Sequence, residues 1–370
     1  MKSRSRVPLA PLVFMLAAFV VPLACSANST KSRSENGSSS TNTGESASSR
    51  KGSATDRVFT PAGPGLVLDG GGLSVDKAFV WMRSTLSTDK TSRLGDVVVL
   101  TAEGDSDLAS QIYNAAPFNS VQTINLPSPT QRDLRQAASI VEKAEAVFFD
   151  GGHQAAYVAW AGSPLMAAVQ HVYDRGGVVG GSSAGLAILG QYVYSAIKGS
   201  VHSKEALANP FSSLLTFTHN MLKFPPLAGW ITDTHFDTRS RFGRLTSFMA
   251  RQIADGTVSG TTPQVHGVGI DEDDAVVVDK TGKAKLLQSP SGTGAAYFLV
   301  GGPASQVKAG EPLIYPNLKV TRLDSFQEYY DLTKRCGTGP TYTVSVDARG
   351  SNPFGAVDPY SARGAAGSCP

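Results

Sequence analysis

A serine stands between two glycines at Gly-x-Ser-x-Gly spacing in Gly181-Ser182-Ser183-Ala184-Gly185. The short apolar run Gly177-Val178-Val179 leads into it, and Leu186-Ala187-Ile188-Leu189 follows. A strand that turns sharply into a helix through small residues lifts one hydroxyl clear of the backbone, as in a nucleophile elbow. The N–H groups and positive dipole end of that helix then face the place where an oxyanion would form. Such a segment predicts nucleophilic acyl chemistry at Ser183. Gly- and Ser-rich turns between strand and helix also bind phosphate or serve only as turns.

A serine nucleophile requires a base, and the base an orienting partner. Six histidines are available: His153, His171, His202, His219, His235 and His266. His235 has the most suggestive setting, in Trp230-Ile231-Thr232-Asp233-Thr234-His235-Phe236, with Arg239, Arg241 and Arg244 behind it. An apolar strand end running into a basic helix would hold a histidine at the rim of a pocket. A structural histidine bonded to Asp233 or Asp237 is the alternative. His171 falls inside a helical pattern, where packing or surface exposure explains it.

Five stretches occur in order: Asp69-Gly70-Gly71-Gly72, Phe148-Phe149-Asp150-Gly151-Gly152-His153-Gln154, the serine elbow, Asp233-Thr234-His235-Phe236 with its arginines, and Gly267-Val268-Gly269-Ile270-Asp271-Glu272. Together they resemble the cyanophycinases and related aspartyl dipeptidases, serine peptidases on a glutamine-amidotransferase-like fold. The resemblance extends over residues 64–325. It implies Ser183 as nucleophile, His235 as base and an acidic residue to orient it. It further implies that Gly151 and Ala184 offer backbone N–H groups to the oxyanion and that Gln154 helps position substrate. Glu205 is the carboxylate expected in the third role, because between Ser183 and the Asp233–His235 motif only it and Asp233 are acidic. The substrate implied is a peptide, either cyanophycin, a polyaspartate whose side chains carry arginine, or an aspartyl dipeptide. A guanidinium fork matches a carboxylate, so Arg239, Arg241 and Arg244 are candidate substrate ligands. A salt bridge from Arg241 to Asp237 is the competing role. Three positions depart from the family pattern and bear on substrate: Ser182 where threonine is usual, Thr234 where cyanophycinases often carry glutamine, and His153 where Asn or Asp is common.

The elements that must position these residues alternate. Leu66-Val67-Leu68, Asp96–Leu100, Val121–Ile124, Ala146–Phe149 and Val178-Val179 read as short buried strands. Helical stretches lie near 75–86, 106–116, 130–144 and 154–175. Such alternation predicts an α/β fold with a doubly wound, mostly parallel sheet, which gathers ligands at the carboxyl ends of its strands. The glycines after Asp69 lack the spacing of a phosphate loop and read as close backbone approach beside the elbow. Alternation over Val268–Val278 and the turn Lys280-Thr281-Gly282-Lys283 predict a C-terminal β-hairpin, followed by an irregular extension.

Composition suits one sizeable domain with appendages: 41% of the 370 residues are hydrophobic and 17% charged. The net charge of +3 comes from the N-terminus, where residues 1–56 carry seven basic and three acidic side chains. The remainder is nearly neutral, which offers nucleic acid no electrostatic footprint. Lys2, Arg4 and Arg6 ahead of the apolar run Val7–Ala24 form the head and body of an export signal. A membrane anchor is the alternative. Leu23-Ala24-Cys25 resembles a lipoprotein signal in which Cys25 is lipidated. The expected organisation is a signal at 1–25, a Ser/Thr/Asn-rich disordered linker at 26–57, a catalytic domain at 58–325 and an extension at 326–370. The protein is then secreted or periplasmic, or held at the outer membrane or cell surface through lipid. With Cys25 removed or lipidated, Cys336 and Cys369 remain as a pair for a disulfide. No Cys-x-x-Cys and no histidine pair at ligand spacing suggests a metal, and no cofactor is expected. A homodimer stays open, as do two other classes of function: an α/β-hydrolase-type esterase and a non-catalytic surface-binding lipoprotein.

Overall fold

The computed structural model describes residues 48–104 and 106–369. The export signal, Cys25 and most of the linker lie outside the described residues. Five parallel strands form the centre of a ten-stranded sheet, in spatial order Ser120–Asn125, Asp96–Thr101, Ala146–Phe149, Val178–Ser182 and Gly65–Asp69. Their side chains alternate between two cores, as period-two geometry requires. Val67, Val97 and Val99 pack with helices Asp76–Leu86 and Leu108–Ala115. Leu66, Leu68, Val98 and Leu100 pack with helices Gln131–Val141 and Pro164–Asp174. Helices on both faces of a parallel sheet make the fold the doubly wound α/β type.

The stretch 154–175 breaks into two helices, Gln154–Val158 and Pro164–Asp174. Gly162 turns at φ +72°, Ser163 accepts from the Met166 N–H, and Pro164 occupies the first turn of the second helix, where its missing N–H costs nothing.

Beyond Gly65–Asp69 the sheet turns antiparallel through Asp274–Val278 and Lys283–Gln288, the hairpin expected around Lys280–Lys283. The alternating run Val268–Val278 is not one strand. It divides at Asp271-Glu272-Asp273, with Asp273 at φ +63°. Val265–Ile270 joins a second, eight-stranded sheet, whereas Asp274–Val278 stays in the first. The second sheet also holds Trp230–Asp233, parallel to Val265–Ile270, and packs with helix Phe242–Ala254 around a third apolar core.

Two appendages are more regular than expected. Ser48–Gly52, at the end of the linker, is a strand antiparallel to Ser120–Asn125. In the C-terminal extension Pro340–Asp347 pairs with Ile314–Leu323, and Ala365–Ala366 pairs with Pro340–Thr341. Cys336 and Cys369 are joined by a disulfide, their Cα atoms 5.2 Å apart.

Candidate active site

The serine elbow forms where strand Val178–Ser182 ends and the one-turn helix Ala184–Ala187 begins. Ser183 sits at φ +50°, ψ −114°, a strained conformation for a residue with a side chain. The turn is possible because Gly185 presses on Phe149: a Cβ there would lie 2.2 Å from the Phe149 carbonyl oxygen. The hydroxyl that this turn raises lies 2.6 Å from His235 Nε2.

Three consecutive carbonyls beside the elbow tie together separate parts of the chain. The N–H of Ser183 donates to Asp69 O at 3.1 Å, that of His235 to Gly70 O at 2.8 Å, and that of Asp273 to Gly71 O at 2.8 Å. Gly71 itself lies against the imidazole; at its φ of +99°, a Cβ would fall 2.4 Å from His235 Cε1. Below the tripeptide, the Asp69 carboxylate accepts from the Gly71 N–H and the Ser182 hydroxyl, both at 2.9 Å.

His235 Nδ1 lies 2.5 Å from Glu272 Oε1. A carboxylate on Nδ1 selects the tautomer with its proton there, leaving Nε2 to accept from Ser183. Burial pulls the imidazole below its ordinary pKa, Arg239 and Arg241 add to the effect, and Glu272 opposes it. The ring is therefore neutral near pH 7 and free to take a proton. Hydroxyl, imidazole and carboxylate in this sequence can carry out nucleophilic acyl transfer.

No family model matches the chain. Over 239 residues it is 27% identical to a cyanophycinase of Trichormus variabilis, a match covering 64% of this chain and 73% of the relative. The chain is a serine peptidase related to the cyanophycinases. A cyanophycinase of Synechococcus elongatus is 29% identical over 149 residues, 40% of either chain. Among solved structures, a peptidase from an acI-B1 actinobacterium is similar at TM-score 0.42 and 15% identity, covering 72% of this chain and 96% of that one.

Set in this cyanophycinase-like frame, the residues singled out from sequence fall into three groups. Ser183 and His235 meet directly. Gly151 stands beside the nucleophile, where an added Cβ would be 3.8 Å from that of Ser183. Its N–H is engaged by the carboxylate of Asp150 at 2.7 Å, so an oxyanion would have to displace that contact. Ala184 opens the short helix directly after Ser183. Gln154 begins helix Gln154–Val158 and donates its amide to the Tyr194 carbonyl.

The carboxylate at the imidazole is Glu272, not Glu205. Glu205 lies in the first turn of helix Ser203–Ala208, where its side chain accepts from the His202 N–H at 3.2 Å. It is a helix cap in a capping-box arrangement. Asp233, the other carboxylate on that stretch, is buried and occupied by Arg244. Glu272 ends the stretch Gly267-Val268-Gly269-Ile270-Asp271-Glu272, whose pattern alone assigns it no role.

The three arginines differ in kind. With Ser200, Val201 and His202 they line a pocket of about 320 Å³. Arg244 is buried and forks onto Asp233, Nε to Oδ2 at 2.8 Å and Nη2 to Oδ1 at 2.5 Å. That geometry satisfies the charge internally and makes Arg244 a structural residue rather than a substrate ligand. Arg241 donates to the Thr234 carbonyl at 2.9 Å and hydroxyl at 2.8 Å, and lies 3.7 Å from Asp233; the expected alternative partner, Asp237, is not its contact. Arg239 is half-exposed, 3.6 Å from Glu272, and faces the pocket. His153 is a surface residue 3.4 Å from Glu103, and His266 is buried against Trp230.

Proposed function

We propose that this peptidase cleaves peptide or isopeptide bonds next to aspartate, with cyanophycin as the leading substrate and β-aspartyl-arginine dipeptides as products. The Ser183–His235–Glu272 relay beside an arginine-lined pocket carries this reading. Ser183 attacks the carbonyl while His235 takes its proton, and Glu272 holds the imidazole in the right tautomer and stabilises the imidazolium. Backbone N–H groups of Ala184 and, once released from Asp150, Gly151 stabilise the oxyanion. His235 returns the proton to the leaving amine, and water repeats the cycle on the acyl-enzyme. Gln154 and Arg239, with Arg241 deeper in the pocket, hold the charged substrate.

The protein acts outside the cytoplasm, either released or lipid-anchored through Cys25. The charged head and apolar body at its N-terminus, followed by a polar linker, support this part of the proposal. A search for N-terminal lipid by intact mass of protein from its own cell tests it.

Incubating the purified protein with cyanophycin, with α- and β-linked aspartyl peptides and with p-nitrophenyl esters tests the substrate. Release of aspartyl dipeptides, abolished by Ser183→Ala, supports the reading. Ester hydrolysis with no peptide hydrolysis would replace it by an esterase.

A further inference from the structure

We infer that Tyr360, in the C-terminal extension, is a positioning residue that holds the His235–Glu272 pair in register; this rests on the catalytic reading of that pair. Tyr360 lies beyond the stretch 64–325 that carries the family motifs. Its hydroxyl accepts from the Phe242 N–H at 2.8 Å, so it takes up one of the free donors at the start of helix Phe242–Ala254. Its ring lies edge-on to Phe236, Phe242 and Tyr297, at centroid distances of 5.9, 6.2 and 6.0 Å.

Phe236 is the link to the chemistry. It follows His235 directly, is fully buried, and donates its N–H to Ile270 O at 3.2 Å. Its ring fills the space over Gly269, where a Cβ would fall 2.3 Å from it. Gly269 and Ile270 close the strand that delivers Glu272. Phe236 thus joins the segment of the base to the segment of the acid, and Tyr360 closes on its open side.

A polar contact set reinforces the same junction. The Tyr297 hydroxyl is 3.4 Å from both Asp271 Oδ2 and the Tyr360 carbonyl. Asp271 Oδ1 accepts from the Asp237 N–H at 2.8 Å. Asp271, next to Glu272, and Phe236, next to His235, are therefore both braced by contacts that reach the extension. The extension is itself held by the Tyr342 hydroxyl on Pro359 O at 2.5 Å and by the Cys336–Cys369 bridge. A displacement of about 1 Å in a catalytic group can cost roughly 100-fold in rate.

The test compares Tyr360→Ala and Tyr360→Phe with wild type by NMR titration of the His235 ring and by steady-state kinetics. His235 is faced by Ser183, Glu272, Arg239 and Arg241. Loosening Phe236 admits water to the ring, so in Tyr360→Ala its titration moves up toward the ordinary imidazole range. Turnover of an aspartyl peptide falls about tenfold or more, with KM within about twofold. Tyr360→Phe keeps the ring contacts and restores both readouts to near wild type. A folded Tyr360→Ala protein with wild-type turnover and wild-type His235 titration overturns the inference. Should Tyr360→Ala not fold, Tyr360→Leu is read by the same two outcomes. The titration needs no substrate, so failure to cleave aspartyl peptides would count against the proposed function and leave this test intact.

Discussion

Gly71 lies flat against His235, so close that a methyl group on its Cα would fall 2.4 Å from the ring. The absence of a side chain at residue 71 is thus a requirement of the base. Gly71→Ala is expected to lower turnover by about 100-fold or more, because the imidazole must swing off Ser183. The added strain at φ +99° costs roughly 1–3 kcal/mol as well. Kinetics alongside thermal melts separate the two effects: a loss of stability with unchanged turnover would show that the ring tolerates the methyl.

Glu272→Gln removes the charge that holds the imidazole, and its effect should approach that of a lost triad member, several orders of magnitude in kcat. Ser183→Ala and His235→Ala should each abolish turnover, and the double variant should be little worse than either. Glu205→Gln keeps a side-chain acceptor in the capping box and should leave kcat within about twofold and stability nearly unchanged. Full activity in folded Glu272→Gln would remove this carboxylate from the mechanism.

The arginines should divide cleanly. Arg244→Ala strands the buried Asp233 carboxylate and should cost about 3–5 kcal/mol of stability. Arg239→Lys should leave the melting temperature in place but raise KM for charged peptides relative to a neutral ester, because the planar fork is lost. Equal KM changes on both substrates would make Arg239 a partner of Glu272 alone.

Two pH effects have opposite senses. His235 acts when unprotonated, and burial holds its pKa below the ordinary value. Activity should therefore persist below about pH 6.5 and fail only on further acidification. Asp274 is buried, and burial, with help from Asp271, Asp273 and Asp69 and against a contact from the Gly294 N–H, pushes its pKa up to about 7. The folded state keeps a proton there that the unfolded chain releases near pH 4, so this group's stabilising contribution is lost as pH rises from about 4 through 7. Asp274→Asn should flatten the fall in melting temperature between pH 5 and pH 8. An unchanged fall would assign the slope to other buried carboxylates, such as Asp69, also pushed up to about 7.

The parts of the fold and site that were legible in the sequence are those set by local chemistry. The alternating strands and helices were readable because each buried strand is a short apolar run with clear ends. Ser183 was readable because the close approach of Gly185 to Phe149 leaves its mark as a glycine two residues on. Glu272 was not, because it lies 37 residues beyond His235 and the order of residues along a chain says nothing about which carboxylate faces a ring. The alternation of Val268–Val278 also concealed the break that delivers it. Four consecutive carboxylates, Asp271-Glu272-Asp273-Asp274, were the available signal, since such a run interrupts a buried strand. The fates of Arg239 and Arg244 diverged for a similar reason: their spacing places both near the pocket, but only tertiary packing buries one against Asp233.

The tripeptide Asp69-Gly70-Gly71 has a further consequence for how activity arises. It is made early, yet its three carbonyls acquire their partners only when Ser183, His235 and Asp273 have each been synthesised and folded back. Until then they remain hydrated, and nucleophile, base and acid share no common frame. A nascent chain, or a fragment cut anywhere between these segments and separated from the rest, carries the serine without the means to use it. A hydrolase built in this way is latent throughout its own synthesis.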